Sequence, residues 1–208
     1  MLIEARQLHP LFAAEISGFD MRRDTDPASV AALIAAMNEY AVCSVMHDAA
    51  LTDDEHIDFS ALLDPMDRKK SPRIAGTGQR VPRVEIVDQS NLDTDGNIYV
   101  DGDKRLAYKR ANRLWHTDMS FYEIRATYSL LSAHIVPPEG ANTEFADMRA
   151  VYDDLPDAMK KRLDGLVGEH CYWYSRVLGG GPEPTDAERA TRPPPARHRL
   201  VHDHPRSG

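Results

Sequence analysis

Residues 112–121 read Asn-Arg-Leu-Trp-His-Thr-Asp-Met-Ser-Phe, and the most informative pair in this stretch is His116 and Asp118. The apolar residues on both sides of the pair predict an extended backbone, and side chains two residues apart on a strand share one face. An imidazole and a carboxylate placed side by side can occupy adjacent positions of an octahedral metal ion, as in the 2-His-1-carboxylate triad that binds Fe(II). The pair therefore predicts part of a metal site, although the spacing alone is a weak signal.

The same His-x-Asp spacing occurs earlier in the chain, at His56 and Asp58, and there it predicts a different outcome. Thr52 and Glu55 have the pattern of a capping box, which predicts the start of a helix that continues through Leu63. Side chains two residues apart on a helix point about 200° apart, so they cannot bind one metal ion together. The earlier pair is therefore predicted to lie on a solvated helix face.

The composition limits the classes of protein that the chain can represent. Its 208 residues, 42% hydrophobic and 28% charged, predict a single globular domain over residues 1–208. The formal net charge of -8 disfavours nucleic acid as a partner, whereas a few local cations suffice to bind a small anionic ligand. No apolar run is long enough to cross a membrane and the start lacks a signal peptide, so we expect a cytoplasmic protein with buried free thiols at Cys43 and Cys171.

Caps, turn residues and apolar periodicity predict a series of short elements. Helices are predicted to begin at Asp26-Pro27, at Thr52, after Asp147 and after Pro156-Asp157. Strands are predicted over residues 41–46, 84–87, 98–100, 127–136 (the strongest) and 170–174 and from Leu200, with a turn at 93–96. Irregular backbone is predicted over residues 101–113 and 178–197.

Residues 64–82 are predicted to form a long polar loop or lid. Its basic side chains are Lys69, Lys70 and Arg73. A solvated loop is the favoured interpretation of this cluster, and a lid that contacts an anionic substrate is the alternative. Among the aromatic residues, Trp115 is predicted to anchor the core beside the metal site, and Tyr172 and Trp173 are predicted to pack in the core from a strand.

Ordered motifs at consistent spacing connect the chain to a known family. They occupy residues 9–14, 112–121, 128–133, 136–138, 140–149 and 152–156. Together these motifs resemble the taurine dioxygenase family of Fe(II)/2-oxoglutarate-dependent dioxygenases, and most closely the branch typified by 2,4-dichlorophenoxyacetate dioxygenase. Because the motifs extend over almost the whole chain, they are far more specific than the His-x-Asp pair alone.

The resemblance implies a fold, a set of site residues and a reaction. The fold would be mainly β with flanking helices, a double-stranded β-helix or jelly-roll. His116 and Asp118 would bind Fe(II), Thr143 would hydrogen-bond the carboxylate of 2-oxoglutarate, and Asn112 would lie near this cosubstrate. Iron and O2 would hydroxylate the substrate while 2-oxoglutarate is decarboxylated to succinate. In the phenoxyacetate branch, hydroxylation beside the ether oxygen gives a hemiacetal that separates into a phenol and glyoxylate.

Two functional residues of the family have no counterpart in this chain. The distal histidine ligand and the arginine that pairs with 2-oxoglutarate lie beyond the segment that resembles residues 198–208. His202 and His204 are not favoured as substitutes, because they match a strand upstream of the distal ligand. The chain is therefore expected to be the N-terminal two-thirds of the family domain, truncated at its C-terminus.

Two hypotheses about function follow. The first is a dioxygenase that hydroxylates a small organic acid, with aryloxyalkanoates favoured and sulfonates or alkyl sulfates as the alternative substrates. The second is a truncated, non-catalytic remnant whose open sheet edges favour a homo-oligomer or aggregation.

Overall fold

The architecture is taken from a computed structural model, which describes residues 3–64 and 80–207 apart from the Lys104 side chain. In chain order the elements are β1 (Glu4–Gln7), β2 (Ala14–Ser17), α1 (Pro27–Tyr40), β3 (Cys43–Val45), α2 (Asp53–Leu63), α3 (Lys104–Lys109), a 3₁₀ turn (Arg110–Arg113), α4 (Met148–Asp153), α5 (Asp157–Leu163), β4 (Val167–His170), α6 (Tyr172–Leu178), α7 (Asp186–Arg189) and β5 (Ala196–Arg199). Most of the predicted loop 64–82, including its basic cluster, lies outside the described residues.

The chain divides into two compact units. The first consists of the described residues of Met1–Met66, Leu130–Leu166 and Val201–Gly208, and the second of those of Asp67–Ser129 and Val167–Leu200. The mainly β architecture expected from the resemblance is present only in part, because the described residues form five short strands and seven α-helices. Every helix among them is too short or too polar to cross a lipid bilayer.

The first unit contains a three-stranded sheet in the order β1-β2-β3. Strand β2 pairs antiparallel with β1 and parallel with β3, and Ile16 lies opposite Ala5 on one side and Val45 on the other. The strand predicted over residues 41–46 is thus confirmed at its centre. Cys43 is a free, half-buried thiol, and this burial raises its pKa to about 11.

The helices of the first unit begin where their caps predict. The Asp26 side chain accepts hydrogen bonds from the Ala28 and Ser29 amides at the start of α1. Thr52 and Glu55 form the predicted capping box of α2. Buried apolar residues then attach both helices to the core, namely Val30, Leu33 and Ala36 from α1 and Ile57, Phe59 and Leu63 from α2. These predictions are confirmed because caps and apolar periodicity are local properties of the sequence.

The predicted helices after Asp147 and Pro156 are also confirmed, as α4 and α5. Asp147 caps α4 by accepting a hydrogen bond from the Arg149 amide and pairs with the Arg149 guanidinium at 2.8 Å. The same guanidinium donates to the carbonyls of Asn38 and Glu39, at the end of α1. Arg149 therefore connects α4 to α1 and satisfies carbonyls that a helix end leaves unpaired.

The second unit is built on the antiparallel pair β4–β5, in which Gly168 lies opposite His198. Its core contains Tyr108, Tyr172 and Trp173, with Phe121 and Cys171 packed against them. Core packing by Tyr172 and Trp173 is therefore confirmed, although they lie on helix α6 and not on the predicted strand over residues 170–174. The aromatic run has high strand propensity, but strand propensity depends on an available sheet position and the ladder ends at His170.

Several further predictions in the second unit are wrong. Residues 84–87 form no strand, and the strand over 98–100 is reduced to one bridge, between Leu92 and Ile98, around the confirmed turn at 93–96. Residues 101–113 contain α3, capped by the Asp103 side chain, and the 3₁₀ turn. Residues 178–197 contain α7, and β5 ends before Leu200. The short helices were missed because their sequences are polar. A polar sequence lacks the apolar repeat that predicts a helix, although a capped helical turn can still form.

The segment predicted to be the strongest strand, residues 127–136, lies outside both sheets. Leu131, Ile135 and Val136 are 68%, 78% and 73% exposed. The prediction was wrong because residue types show only that a segment can adopt strand geometry. A strand also needs a neighbouring strand to which its backbone is hydrogen-bonded.

Candidate metal centre

The segment that carries His116 and Asp118 begins where the 3₁₀ turn of the second unit ends. Leu114 returns to extended backbone, and its amide donates to the Ala111 carbonyl at 3.1 Å. A tight turn follows Asp118, with Met119 at φ +58° and the Tyr122 amide bonded to the Met119 carbonyl. The pair therefore lies on a short irregular stretch between two turns, and no strand pairing forms in this stretch.

The backbone fixes the tautomer of the His116 ring. Its Nδ1 lies 2.6 Å from the Leu114 carbonyl oxygen, which can only accept a hydrogen bond, so Nδ1 carries the proton. In the neutral ring, Nε2 then presents a lone pair. A backbone carbonyl that holds one ring nitrogen and leaves the other free is the usual arrangement for a metal-binding histidine.

The free nitrogen of His116 faces the carboxylate of Asp118. Nε2 lies 3.2 Å from Asp118 Oδ1, and the two side chains are 43% and 57% exposed. Two ligand atoms bound about 2.1 Å from a metal ion at a right angle are about 3 Å apart. The separation therefore fits adjacent positions of an octahedral ion, and it also fits an ion pair between a protonated His116 and Asp118. Within residues 3–64 and 80–207, no group of three or more histidine, cysteine or acidic side chains is arranged to hold a metal ion.

The other oxygen of Asp118 has a different partner. Ser129 Oγ donates to Asp118 Oδ2 at 2.9 Å. Ser129 is 11 residues further along the chain and belongs to the same unit. The residue lies in one of the motifs that carry the resemblance, but its contact with Asp118 could not be read from the spacing.

A histidine of β5 supports the turn that follows Asp118. His198 Nε2 lies 3.0 Å from the Ser120 carbonyl and 3.0 Å from the Tyr122 carbonyl, so it donates its proton to this pair of acceptors. The His170 ring meets the His198 ring edge to face at 5.3 Å. Burial, followed by repulsion from His198 and Arg125, lowers the pKa of His170. His198 of β5 thus holds the turn, and burial of the neighbouring His170 disfavours its charged form.

Asn112 is held by the second unit at both ends of its amide. Its Oδ1 accepts a hydrogen bond from Arg176 Nη1 at 2.8 Å, and its Nδ2 donates to Gln89 Oε1 at 3.0 Å. The same Arg176 nitrogen donates to the Tyr108 carbonyl. The end of α6 also packs closely against the 3₁₀ turn. A Cβ added at Gly179 would lie only 2.5 Å from the Ala111 Cα. Asn112 therefore shares a unit with His116 and Asp118, and its predicted role near 2-oxoglutarate stays a prediction.

Three further residues discussed from the sequence are Thr143, Trp115 and His204. Thr143 belongs to the first unit and has an exposed side chain in the irregular stretch before α4, so its predicted role also stays a prediction. Trp115 is 70% exposed, so the expectation of a core anchor was wrong. It lies directly after a turn, where the neighbouring apolar sequence does not bury it. His204, in the first unit, accepts a hydrogen bond from the Ser207 amide.

Comparison with known proteins identifies the family. The family model described as taurine catabolism dioxygenase TauD, TfdA family matches residues 4–208. The chain belongs to this family. The resemblance found in the motifs of residues 112–121 and 140–149 is therefore confirmed, and the TauD/TfdA family is a family of dioxygenases.

Individual TauD/TfdA relatives support the same assignment. An alpha-ketoglutarate-dependent 2,4-dichlorophenoxyacetate dioxygenase from Cupriavidus pinatubonensis is 36% identical over 100% of this chain and 71% of its own length. An (S)-phenoxypropionate/alpha-ketoglutarate-dioxygenase from Sphingobium herbicidovorans is 32% identical over 97% of this chain and 66% of its own.

A solved structure resembles the chain over nearly all of its length. The crystal structure of AAD-2 in complex with Mn(II) and N-oxalylglycine superimposes with a TM-score of 0.90 at 37% identity, covering 99% of this chain and 70% of that one. The chain thus has the fold of the corresponding part of AAD-2, although few hydrogen-bonded strands form among its described residues.

Proposed function

We propose that this chain is part of an Fe(II)- and 2-oxoglutarate-dependent dioxygenase that hydroxylates a small aryloxyalkanoate, and that His116 and Asp118 are two of its iron ligands. The observation that carries the proposal is the 3.2 Å approach of His116 Nε2 to Asp118 Oδ1, with His116 Nδ1 held by a backbone carbonyl. Support for the cosubstrate comes from relatives named as alpha-ketoglutarate-dependent and from the bound N-oxalylglycine, a 2-oxoglutarate mimic, in AAD-2.

The ligand pair combines one neutral and one anionic donor. Bound Fe(II), with O2 and 2-oxoglutarate, supplies the oxidising chemistry that hydroxylates a C–H bond while 2-oxoglutarate becomes succinate and CO2. His116 offers its lone pair in a fixed direction, and Asp118 supplies a negative charge that offsets the charge of the cation. The exposed faces of both side chains leave room for further ligands.

The proposed substrate class follows from the compounds that appear in the names of two relatives. Both curated relatives act on phenoxy acids, in which an ether oxygen joins an aromatic ring to a short carboxylic acid. Hydroxylation of the carbon beside that oxygen gives a hemiacetal, which separates into a phenol and a carbonyl acid. The formal net charge of the chain is negative. Binding of a small anionic substrate of this kind therefore requires local cations that pair with its carboxylate.

The remaining parts of the proposal concern the fold and the cosubstrate. Residues 1–208 belong to one domain with the jelly-roll fold of the family, Thr143 hydrogen-bonds the 2-oxoglutarate carboxylate, and Asn112 lies close to it. A cytoplasmic location fits the reducing conditions that Fe(II) and the free thiols Cys43 and Cys171 require.

The test is an anaerobic titration of the chain with Fe(II) in the presence of 2-oxoglutarate, followed by the weak visible charge-transfer band of the chelated cosubstrate. The proposal predicts a band that is lost in Asp118→Ala and retained in Asp58→Ala, the matched control from the other His-x-Asp pair. A band that persists in Asp118→Ala, or succinate formation unaffected by His116→Ala, would contradict the proposal.

A further inference from the structure

The two oxygens of the Asp118 carboxylate have separate partners. Oδ1 faces His116 Nε2 at 3.2 Å, and Oδ2 accepts a hydrogen bond from Ser129 Oγ at 2.9 Å. The carboxylate is 57% exposed and follows no strand ladder, so its own backbone does little to fix its rotation. Its orientation therefore depends on the groups that bind its oxygens.

We propose that Ser129 is a positioning residue that holds Asp118 with Oδ1 toward the metal and Oδ2 away from it. This inference rests on the proposed function, since it assigns a role toward the same ion. With Oδ2 occupied, the carboxylate binds through one oxygen and leaves the neighbouring coordination position open. Without the hydroxyl, the carboxylate rotates freely, and fewer of its orientations present Oδ1 to the cation.

The strength of the contact follows from its chemistry. A hydrogen bond to an ionised carboxylate is stronger than one between neutral groups. Residues that orient a metal ligand from outside the coordination sphere typically change metal affinity by about 10–100-fold when they are removed. Because the Asp118 site is open to solvent, we expect an effect at the lower end of this range.

Ser132 offers a matched control a few residues further along. It is a half-buried serine of the same segment, and its hydroxyl lies 3.4 Å from His134 Nε2, so its hydrogen-bond partner is a different residue. Ser129→Thr provides a second comparison, because threonine keeps the hydroxyl donor. A role in orienting Asp118 requires that Thr restores what Ala removes.

The experiment measures the affinity of the chain for Co(II) alone, without oxygen, by titration calorimetry, together with the thermal midpoint of the metal-free protein. Ser129→Ala is expected to weaken Co(II) binding about tenfold with an unchanged metal-free midpoint. Ser129→Thr should recover most of the affinity, and Ser132→Ala should match the unchanged protein.

Different results contradict different claims. Equal Co(II) affinity in Ser129→Ala and the unchanged protein, with binding lost in Asp118→Ala, overturns the inference and leaves the proposed function standing. An affinity loss that follows a lowered metal-free midpoint and is not restored by Ser129→Thr also overturns it, because that result marks support of the fold. Co(II) binding that does not depend on Asp118 overturns the inference and the proposed function together.

Discussion

Two segments of this chain place a histidine and an aspartate two residues apart, and their backbones give the pairs opposite properties. In α2, Ile57 is buried between a half-buried His56 and an exposed Asp58. After the 3₁₀ turn, Thr117 is exposed, and His116 and Asp118 turn toward each other until Nε2 and Oδ1 are 3.2 Å apart. The α2 triplet packs its middle residue into the core, whereas the triplet at 116–118 brings its first and last residues into contact.

The difference shows that spacing acquires chemical meaning only through the backbone. On a helix the two side chains diverge, whereas an irregular stretch between two turns can bring them together. The supports differ as well. The α2 triplet is fixed by apolar burial. In the other triplet His116 donates to the Leu114 carbonyl, and Asp118 accepts from Ser129. His198 donates to the turn that follows.

The largest expected effect concerns the middle residues of the triplets. Ile57→Ala should lower the free energy of unfolding by about 2–5 kcal/mol, because it removes buried methyl groups and leaves a cavity. Thr117→Ala should change it by less than about 0.5 kcal/mol, because an exposed side chain is altered. Urea unfolding of both variants measures these differences. Equal losses would contradict the assignment of core support to the α2 triplet alone.

A smaller effect is expected from the residue that holds the turn after Asp118. His198→Ala removes the donor shared by the Ser120 and Tyr122 carbonyls, so the free energy of unfolding should fall by about 1 kcal/mol. His134→Ala, at an exposed histidine, is the control and should stay within about 0.5 kcal/mol of the unchanged protein. If the two variants unfold at the same urea concentration, His198 does not support the turn.

The smallest effect is a pH dependence that belongs to the α2 triplet. Burial, followed by repulsion from His134, lowers the pKa of His56 below its ordinary value near 6.5. The unfolded chain therefore binds the proton more tightly, and stability present above about pH 6.5 is lost as the pH falls toward the lowered value. Thermal midpoints measured between about pH 7.5 and 5 should fall less steeply in His56→Gln. An unchanged slope would show that protonation of His56 does not cause this pH dependence.

The sequence predicted what depends on neighbours in the chain. The caps at Asp26, Thr52 and Asp147 each join residues at most three apart, so local rules suffice. The proximity of His116 and Asp118 is equally local, and their role as metal ligands stays a prediction. The strand over 127–136 and the burial of Trp115 depend on partners elsewhere, and both predictions were wrong.

The supports of the candidate site were not visible in the sequence for the same reason. Ser129 reaches Asp118 across 11 residues, Arg176 reaches Asn112 across 64, and His198 reaches Ser120 across 78. Pairing of β4 with β5 and folding of α6 bring His198 and Arg176 to the segment around His116, so spacing alone cannot identify these supports.

That His116, and not His56, binds the metal ion is the proposal on which the site depends. It is tested most directly by titrating the protein with Mn(II) while the side-chain resonances of its nine histidines are followed by NMR, since a paramagnetic ion broadens only nearby nuclei. The His116 ring is expected to broaden at the lowest Mn(II) concentrations while the His56 ring keeps its line width. Broadening of His56, or of any other histidine, while His116 stays sharp would contradict it.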